Sequence, residues 1–270
     1  MTALSRRTAL ALGASALAAP LTVPALARAA SAQTYLAYER RLREQMAARR
    51  GDFDADFERE LIDQGDAFRE ARGLAPLRFD PGLALAARAH AADIARSQIY
   101  DHMTREGFGP AARVGLLARD LVGAPAENIA MRRNAAGQVR PDQIMGQWKT
   151  SPGHRANLLA PGFTHVAYAA LREGAQVIAV GVYAEVSARL AAPAPLRAAS
   201  VDAIAAALSR ASPRIDQFSL SEPGGDVLTQ TYVERPQPVN IPPGAWQLRP
   251  HLSSGTHKYQ VAWGPVFVLG

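Results

Sequence analysis

Ser151-Pro152-Gly153-His154-Arg155-Ala156-Asn157-Leu158-Leu159 is the stretch that decides the fold, read together with Ala126-Glu127-Asn128-Ile129-Ala130 upstream of it. A Glu, two amides, a His and an Arg on two short segments form too dense a polar set for ordinary loop filler. A functional cleft is therefore the leading expectation. Ser151-Pro152 pairs an oxygen cap with a proline at the first helical position, which predicts a short helix carrying His154 in its first turn.

Working outward, Asp80-Pro81 repeats the cap-then-proline start. Leu83, Ala87, His90 and Ile94 then line one face, which predicts a helix over 81–98. Phe57, Leu61 and Phe68, followed by Gly73, predict a helix over 54–72 ended by a left-handed glycine, with Leu74–Phe79 extended after it. A helix around 110–121 leads to the Glu127 segment, read as a loop, and Pro141 starts another helix, with Ile144 and Trp148 four apart. After Pro161-Gly162 the period becomes two, so Thr164–Leu171 and Gln176–Val186 form a β-hairpin through Glu173-Gly174.

The flanks differ in character. Residues 33–53 are Arg-rich and read as an amphipathic or loosely ordered lead-in, and 189–199 reads as a Pro/Ala linker. A short helix from the Ser200 cap to Ser209 follows it. The rest of 200–270 is rich in Pro and Gly, with β-prone runs at Val227–Val233, Lys258–Trp263 and Val266–Leu269. This tail is either a small all-β module or an extension packed on the preceding domain, which spans 54–188.

Residues 1–32 read as a secretory signal: Arg6-Arg7, a short apolar stretch, and small-x-small cleavage patterns between Ala27 and Ala32. The paired arginines suggest the twin-arginine route, against an ordinary secretory signal. An apolar core of about a dozen residues is too short for a transmembrane anchor, so the mature chain is expected to be soluble and exported, periplasmic or extracellular. Removing 1–32 takes away three arginines and no acid, lowering the net charge from +6 to +3. That balance is too weak to point to nucleic acid. There is no cysteine, which excludes disulfides, thiolate metal sites and cysteine nucleophiles, so about 240 residues must hold together by their core. No Gly-x-Ser-x-Gly elbow presents a serine nucleophile.

In order, Asp66-x-x-Arg69-x-x-x-Gly73-Leu74-x-Pro76-Leu77, Leu83-x-x-x-Ala87-x-x-His90-Ala91, His102, Arg113, Glu127-Asn128-Ile129, Trp148-x-x-Ser151-Pro152-Gly153-His154-Arg155-x-Asn157-Leu158 and the Tyr183–Val186 strand resemble the bacterial branch of the CAP superfamily. These are the cysteine-rich secretory, antigen 5 and pathogenesis-related proteins, also called SCP domains. The resemblance covers about 60–187. It implies an α+β fold, an α-β-α sandwich with an antiparallel central sheet, to which this chain adds a small β-rich C-terminal extension. It also implies a cleft where a His and a Glu from loops meet a third polar residue, here His102, Glu127 and His154. The sequence departs from the family at Asp66, where Asn is usual. Ala167 and Ala169 stand where glycines commonly alternate, which would narrow the cleft floor, and Glu185 replaces a Gln, adding a carboxylate within reach of the cleft. The second Glu and the sheet His of larger members are missing, with Ser151 near the former.

Each candidate has a structural reading beside the functional one. His102, His154 and Glu127 are a set compatible with Zn²⁺ when one position stays open. Equally, Glu127 could pin its loop through backbone amides and an Arg, with Arg113 or Arg155 as partner. Asn128 and Asn157 read as loop-fixing amides, His90 as a hydrogen-bonded core residue, and Trp148 as a core anchor whose indole finds one partner. Two functions follow from this. One is an exported binding or interaction module engaging an envelope lipid, cell-wall component or protein. The other is a zinc-dependent hydrolase with Zn²⁺ on His102 and His154 and Glu127 as ligand or general base.

Overall fold

The computed structural model describes residues 25–135, 138–227, 232–233, 241–255 and 258–270. Arg6 and Arg7 of the expected leader, His257, and most of the Val227–Val233 run lie outside these residues.

Short polar caps set the helices. Asp54 accepts the Phe57 amide hydrogen at the start of α2 (Ala55–Glu70), and Asp80 does the same for Leu83 at the start of α3 (Pro81–Ser97). The Arg-rich lead-in is helical: α1 (Ala25–Ala48) buries Tyr35, Tyr38 and Leu42 and packs along α3. Those residues recur at three and four, a spacing hidden in composition by the arginines around it.

Strand β1 (Arg78–Phe79) is short; α4 (Pro110–Leu117) leads to β2 (Leu121–Arg133), and α5 (Pro141–Thr150) and α6 (Pro152–Leu158) precede the hairpin of β3 (His165–Glu173) and β4 (Gln176–Arg189). Ser151 sits at the start of α6, but its side chain makes no capping hydrogen bond. The sheet order is β1-β3-β4-β2, with β4 antiparallel to both neighbours and β1 parallel to β3. Helices α1, α3 and α4 cover one face, and α2, α5 and α6 the other. The fold is the α-β-α sandwich, with β2 at its edge.

The two faces are packed with different residue sizes. Under α3, Ala86, Ala87 and Ala91 meet Ala167, Ala169 and Ala184, so small side chains let helix and sheet approach closely. Ala167 and Ala169 are thus fully buried in the core rather than flooring a cleft. The opposite face is aromatic, with Trp148 stacked on Tyr168 at 5.5 Å and Tyr168 edge-on to Tyr183 at 5.9 Å. Gly181 makes room for the Tyr168 ring, since a Cβ there would lie 2.7 Å from Tyr168 Cε1. The buried Trp148 indole N–H has no hydrogen-bond partner among the described residues, contrary to expectation; stacking and apolar packing anchor the ring.

The C-terminal part builds a second sheet from β5 (Arg197–Ala198), β6 (Gln217–Ser221), β7 (Tyr232–Val233), β8 (Gly244–Gly255), β9 (Lys258–Val261) and β10 (Val266–Leu269), after helix α7 (Val201–Leu208). Gly123 and Trp263 exchange backbone hydrogen bonds at 2.8 and 2.9 Å, joining β2 to this region. Ala245, Val266 and Val268 share the core of α1 and α4. Among the described residues no helix is long and apolar enough to cross a membrane.

Candidate functional site

Glu127 lies in β2, not in a loop as expected. The strand is hard to see in sequence because β2 is an edge and its Glu127-bearing face meets polar partners, which erases the apolar alternation. In an antiparallel pair directly opposed residues share a face. Glu127 opposes Val182 and therefore projects toward α3 and α4; Asn128 opposes Gly181 and projects toward α6.

On the α3/α4 side the Glu127 carboxylate is buried and both of its oxygens are hydrogen-bonded. Arg113 Nη2, from α4, lies 2.8 Å from both Oε1 and Oε2, and Arg113 Nη1 donates to the carbonyls of His102 (2.8 Å) and Phe108 (2.7 Å). His102 Nδ1 is 2.9 Å from Oε1, and His90 Nε2 is 3.7 Å from it. One arginine thus neutralises the carboxylate and fixes the loop that presents His102. Arg113 is the partner that fills this role, while Arg155 is exposed.

Burial alone would raise the Glu127 pKa; the adjoining Arg113 and the His102 hydrogen bond outweigh it and bring the value down to about 2. The same carboxylate raises the His102 pKa by hydrogen bond and charge. Burial depresses His90 to about 4, so near neutrality His90 adds no charge to the cluster. Its Nε2 lies 3.0 Å from the Asp101 carbonyl and must donate there, leaving a buried Nδ1 with no partner among the described residues. His90, read from sequence as a core residue, is thus in contact with the site; its lone place on an apolar helical face carried no signal of the carboxylate opposite.

His154 reaches the same place from the other face. Asn128 Nδ2 donates to the His154 carbonyl (3.0 Å) and the Tyr183 hydroxyl (3.2 Å). Asn157 Nδ2 donates to Asn128 Oδ1 (2.9 Å) and the Glu127 carbonyl (3.2 Å). Arg69 holds the far end of α6, donating to the carbonyls of Ala75, Leu158 and Ala160 at 2.8 to 3.0 Å and satisfying helix-end groups. The His154 pKa is lowered by partial burial and by His102 nearby.

The result is an open cleft of about 450 Å³ lined by Tyr100, Asp101, His102, Ile129, Ala130, Met131 and His154, wrapped around the β2 edge. A larger hollow of about 770 Å³ between α1, β8 and β10 holds none of these groups. Glu185 does not join the cleft. It alternates with Tyr183 onto the opposite face from Glu127, where its carboxylate lies against Gly162. His165, on β3, bonds Thr164 instead.

The C-terminal sheet buttresses α4. Buried Gln247 donates to the carbonyls of Ala111 (3.0 Å) and Gly264 (2.9 Å) and accepts from the Gly224 amide (2.7 Å). A Cβ on Gly115 would lie 2.6 Å from Gln247 Nε2, so the helix bearing Arg113 sits directly on this tail. An extension packed on the preceding domain was one of the two readings of 200–270, but its sequence did not single out Gln247 as the contact.

Fold and cleft together define an α-β-α sandwich class, and comparison with known proteins gives the family. Residues 62–183 match the model of the cysteine-rich secretory protein family, CAP, and this part of the chain is a CAP domain. A relative, "Uncharacterized protein YkwD" of Bacillus subtilis (strain 168), is 30% identical over 118 residues, 44% of each chain. The chain therefore spans under half of that relative's length. Among solved structures, an outer surface protein from Borrelia burgdorferi is similar over 49% of this chain and 95% of its own, with 17% identity and a TM-score of 0.44. An extracellular SCP-domain protein from Bacillus anthracis str. Ames is similar over 48% of this chain and 40% of its own, with 20% identity and a TM-score of 0.41.

Proposed function

We propose that this is an exported CAP-domain protein whose cleft binds a cell-envelope ligand: a lipid, a cell-wall component or a protein. The observation that carries this reading is the burial and engagement of Glu127, whose oxygens are both held by Arg113 and one also by His102. A general base needs a lone pair directed at substrate, and this carboxylate directs its lone pairs into the protein. The cleft is lined by two imidazoles, Asp101 and apolar or aromatic side chains suited to contact. Residues 1–32, with Arg6 and Arg7, fit an export signal of the twin-arginine type.

The test follows the His102 and His154 ring signals by NMR while cell-wall fragments and lipid vesicles are titrated in. Shifts at both rings, weakened in His102→Ala and His154→Ala, support the reading. Unmoved rings with every probe, in folded protein, would sink it.

The zinc-dependent hydrolase is the second reading, favoured by one feature: a carboxylate bonded to His102 Nδ1 orients an imidazole to ligate through Nε2. The donor set is incomplete, since the described residues include no group of three His, Cys, Asp or Glu placed to hold a metal. Zn²⁺ here would rest on His102 and His154, with Glu127 engaged elsewhere. Micromolar Zn²⁺ binding by calorimetry, lost in both alanine variants, would bring this reading forward, and absence of heat would remove it.

A further inference from the structure

The outer edge of β2 carries a row of backbone groups whose orientation can be read residue by residue. Gly123 exchanges both its backbone hydrogen bonds with Trp263, on the side away from β4. Pro125 has no N–H to lose there, and the Glu127 carbonyl accepts from Asn157 on that same side. Asn134, of opposite parity, donates inward to Ala175. Odd-numbered residues of β2 therefore point their N–H and C=O groups outward.

Over the first half of its length this edge is protected, as sheet edges commonly are. Trp263 covers Gly123, proline occupies 125, and Asn157 bonds the carbonyl of 127. Protection stops at Ile129 and Met131. Among the described residues no group bonds the outward N–H or C=O of either, and both residues line the open cleft between His102 and His154. The opening in the edge and the two histidines coincide.

We propose that this gap receives an extended peptide that pairs with Ile129 and Met131 as an added strand, its side chains alternating apolar and acidic. The proposal rests on the binding-module reading and names its ligand class. Outward N–H and C=O pairs two residues apart, about 7 Å along the strand, match the repeat of a peptide backbone. The alternation follows from the two faces. On the α3/α4 face the pairing strand would meet Met131 and Tyr100, both well exposed for large side chains at 41% and 39%. On the α6 face it would meet His154, and Arg132, on the same face of β2, stands beside the cleft. Apolar side chains suit the first face and carboxylates the second. The Gly123–Trp263 pair shows the same edge already accepting backbone bonds from a non-neighbouring segment.

The test uses the full chain and a synthetic library of hexapeptides alternating Asp or Glu with apolar residues, measured by fluorescence polarisation. Peptides that bind are remade with N-methyl groups at alternate positions and measured again against Met131→Pro, which removes an outward N–H without touching the bonds to β4. Affinity should fall about tenfold for one N-methyl phase and not the other, the equivalent of one or two lost hydrogen bonds. The Met131→Pro variant should lose a similar factor, and Ile129→Pro serves if that variant misfolds. No binding by any library member, or binding indifferent to both N-methyl phases, overturns the proposal. Cell-wall fragments and vesicles run in parallel separate the two readings. If they move the histidine signals while peptides do not bind, the envelope role stands and the peptide ligand falls; if nothing moves those signals, both fall.

Discussion

Replacing Glu127 by Gln tests whether the Arg113–Glu127 pair organises the cleft. The side chain keeps its size, but the charge goes, and the amide NH₂ now faces the donors of Arg113, which lies 2.8 Å from both carboxylate oxygens. Arg113 is almost wholly buried and cannot turn to water. Stranding one partner of a buried pair costs about 3–5 kcal/mol, so urea unfolding of Glu127→Gln should show a loss near the lower end, because His102 O and Phe108 O still accept from Arg113. The His102 pKa, raised mainly by its hydrogen bond to Glu127, should fall in the variant, since partial burial and Arg113 both push it down. Replacing both partners, Arg113→Met with Glu127→Leu, should recover only part of the stability, because the His102 and Phe108 carbonyls then lose their donor, while leaving the His102 pKa low. A Glu127→Gln protein within about 0.5 kcal/mol of the parent would refute the reasoning, since that is the ordinary range of a neutral surface change. An unshifted His102 titration would refute it separately.

Three further outcomes are expected. Gln247→Leu should cost roughly 1–3 kcal/mol by stranding the Ala111 and Gly264 carbonyls and the Gly224 amide, and should also lower the His102 pKa as α4 loosens; an unchanged His102 titration would show that the tail does not position the site. Arg69→Met should leave the Leu158 and Ala160 carbonyls unbonded and speed amide hydrogen exchange across 152–158 ahead of the rest of the chain, whereas uniform exchange would count against its role in holding α6. Stability should decline on acidification. His90 is depressed to about 4 in the fold against 6.5 in the open chain, so its contribution is complete above about pH 6.5 and is lost as pH falls toward 4, a change of about 3 kcal/mol that His90→Gln should flatten. Below that, Glu127 adds a second loss as pH drops from 4.5 toward 2.

Much of the sandwich was legible because its signals are local. Asp54, Asp80 and Gly73 mark helix ends within a turn of the atoms they bond, and the hairpin of β3 and β4 shows alternation around a glycine turn. Two strands that escaped notice, β6 and β8, are rich in Ser, Gln, Arg and Pro, and only pairing within the second sheet makes them strands. The same holds for β2, whose site face is polar.

The family-bearing motifs, the helices after the Arg-rich lead-in, and the company of a Glu-Asn-Ile segment with Ser-Pro-Gly-His-Arg were all legible in the sequence. These depend on residue type and short spacing, which the chain carries in one dimension. Tertiary structure decided which groups meet. It chose Arg113 over Arg155 for Glu127, drew His90 into contact with the carboxylate, and turned Glu185 to the far face by the alternation of a strand. It also set Gln247 beneath α4 across a separation of 136 residues and left Ile129 and Met131 as the opening in a protected edge. The physical reason is one of range: caps and turns are made by neighbours in the chain, whereas ion pairs, sheet edges and buttresses are made by segments that only the packed core brings together.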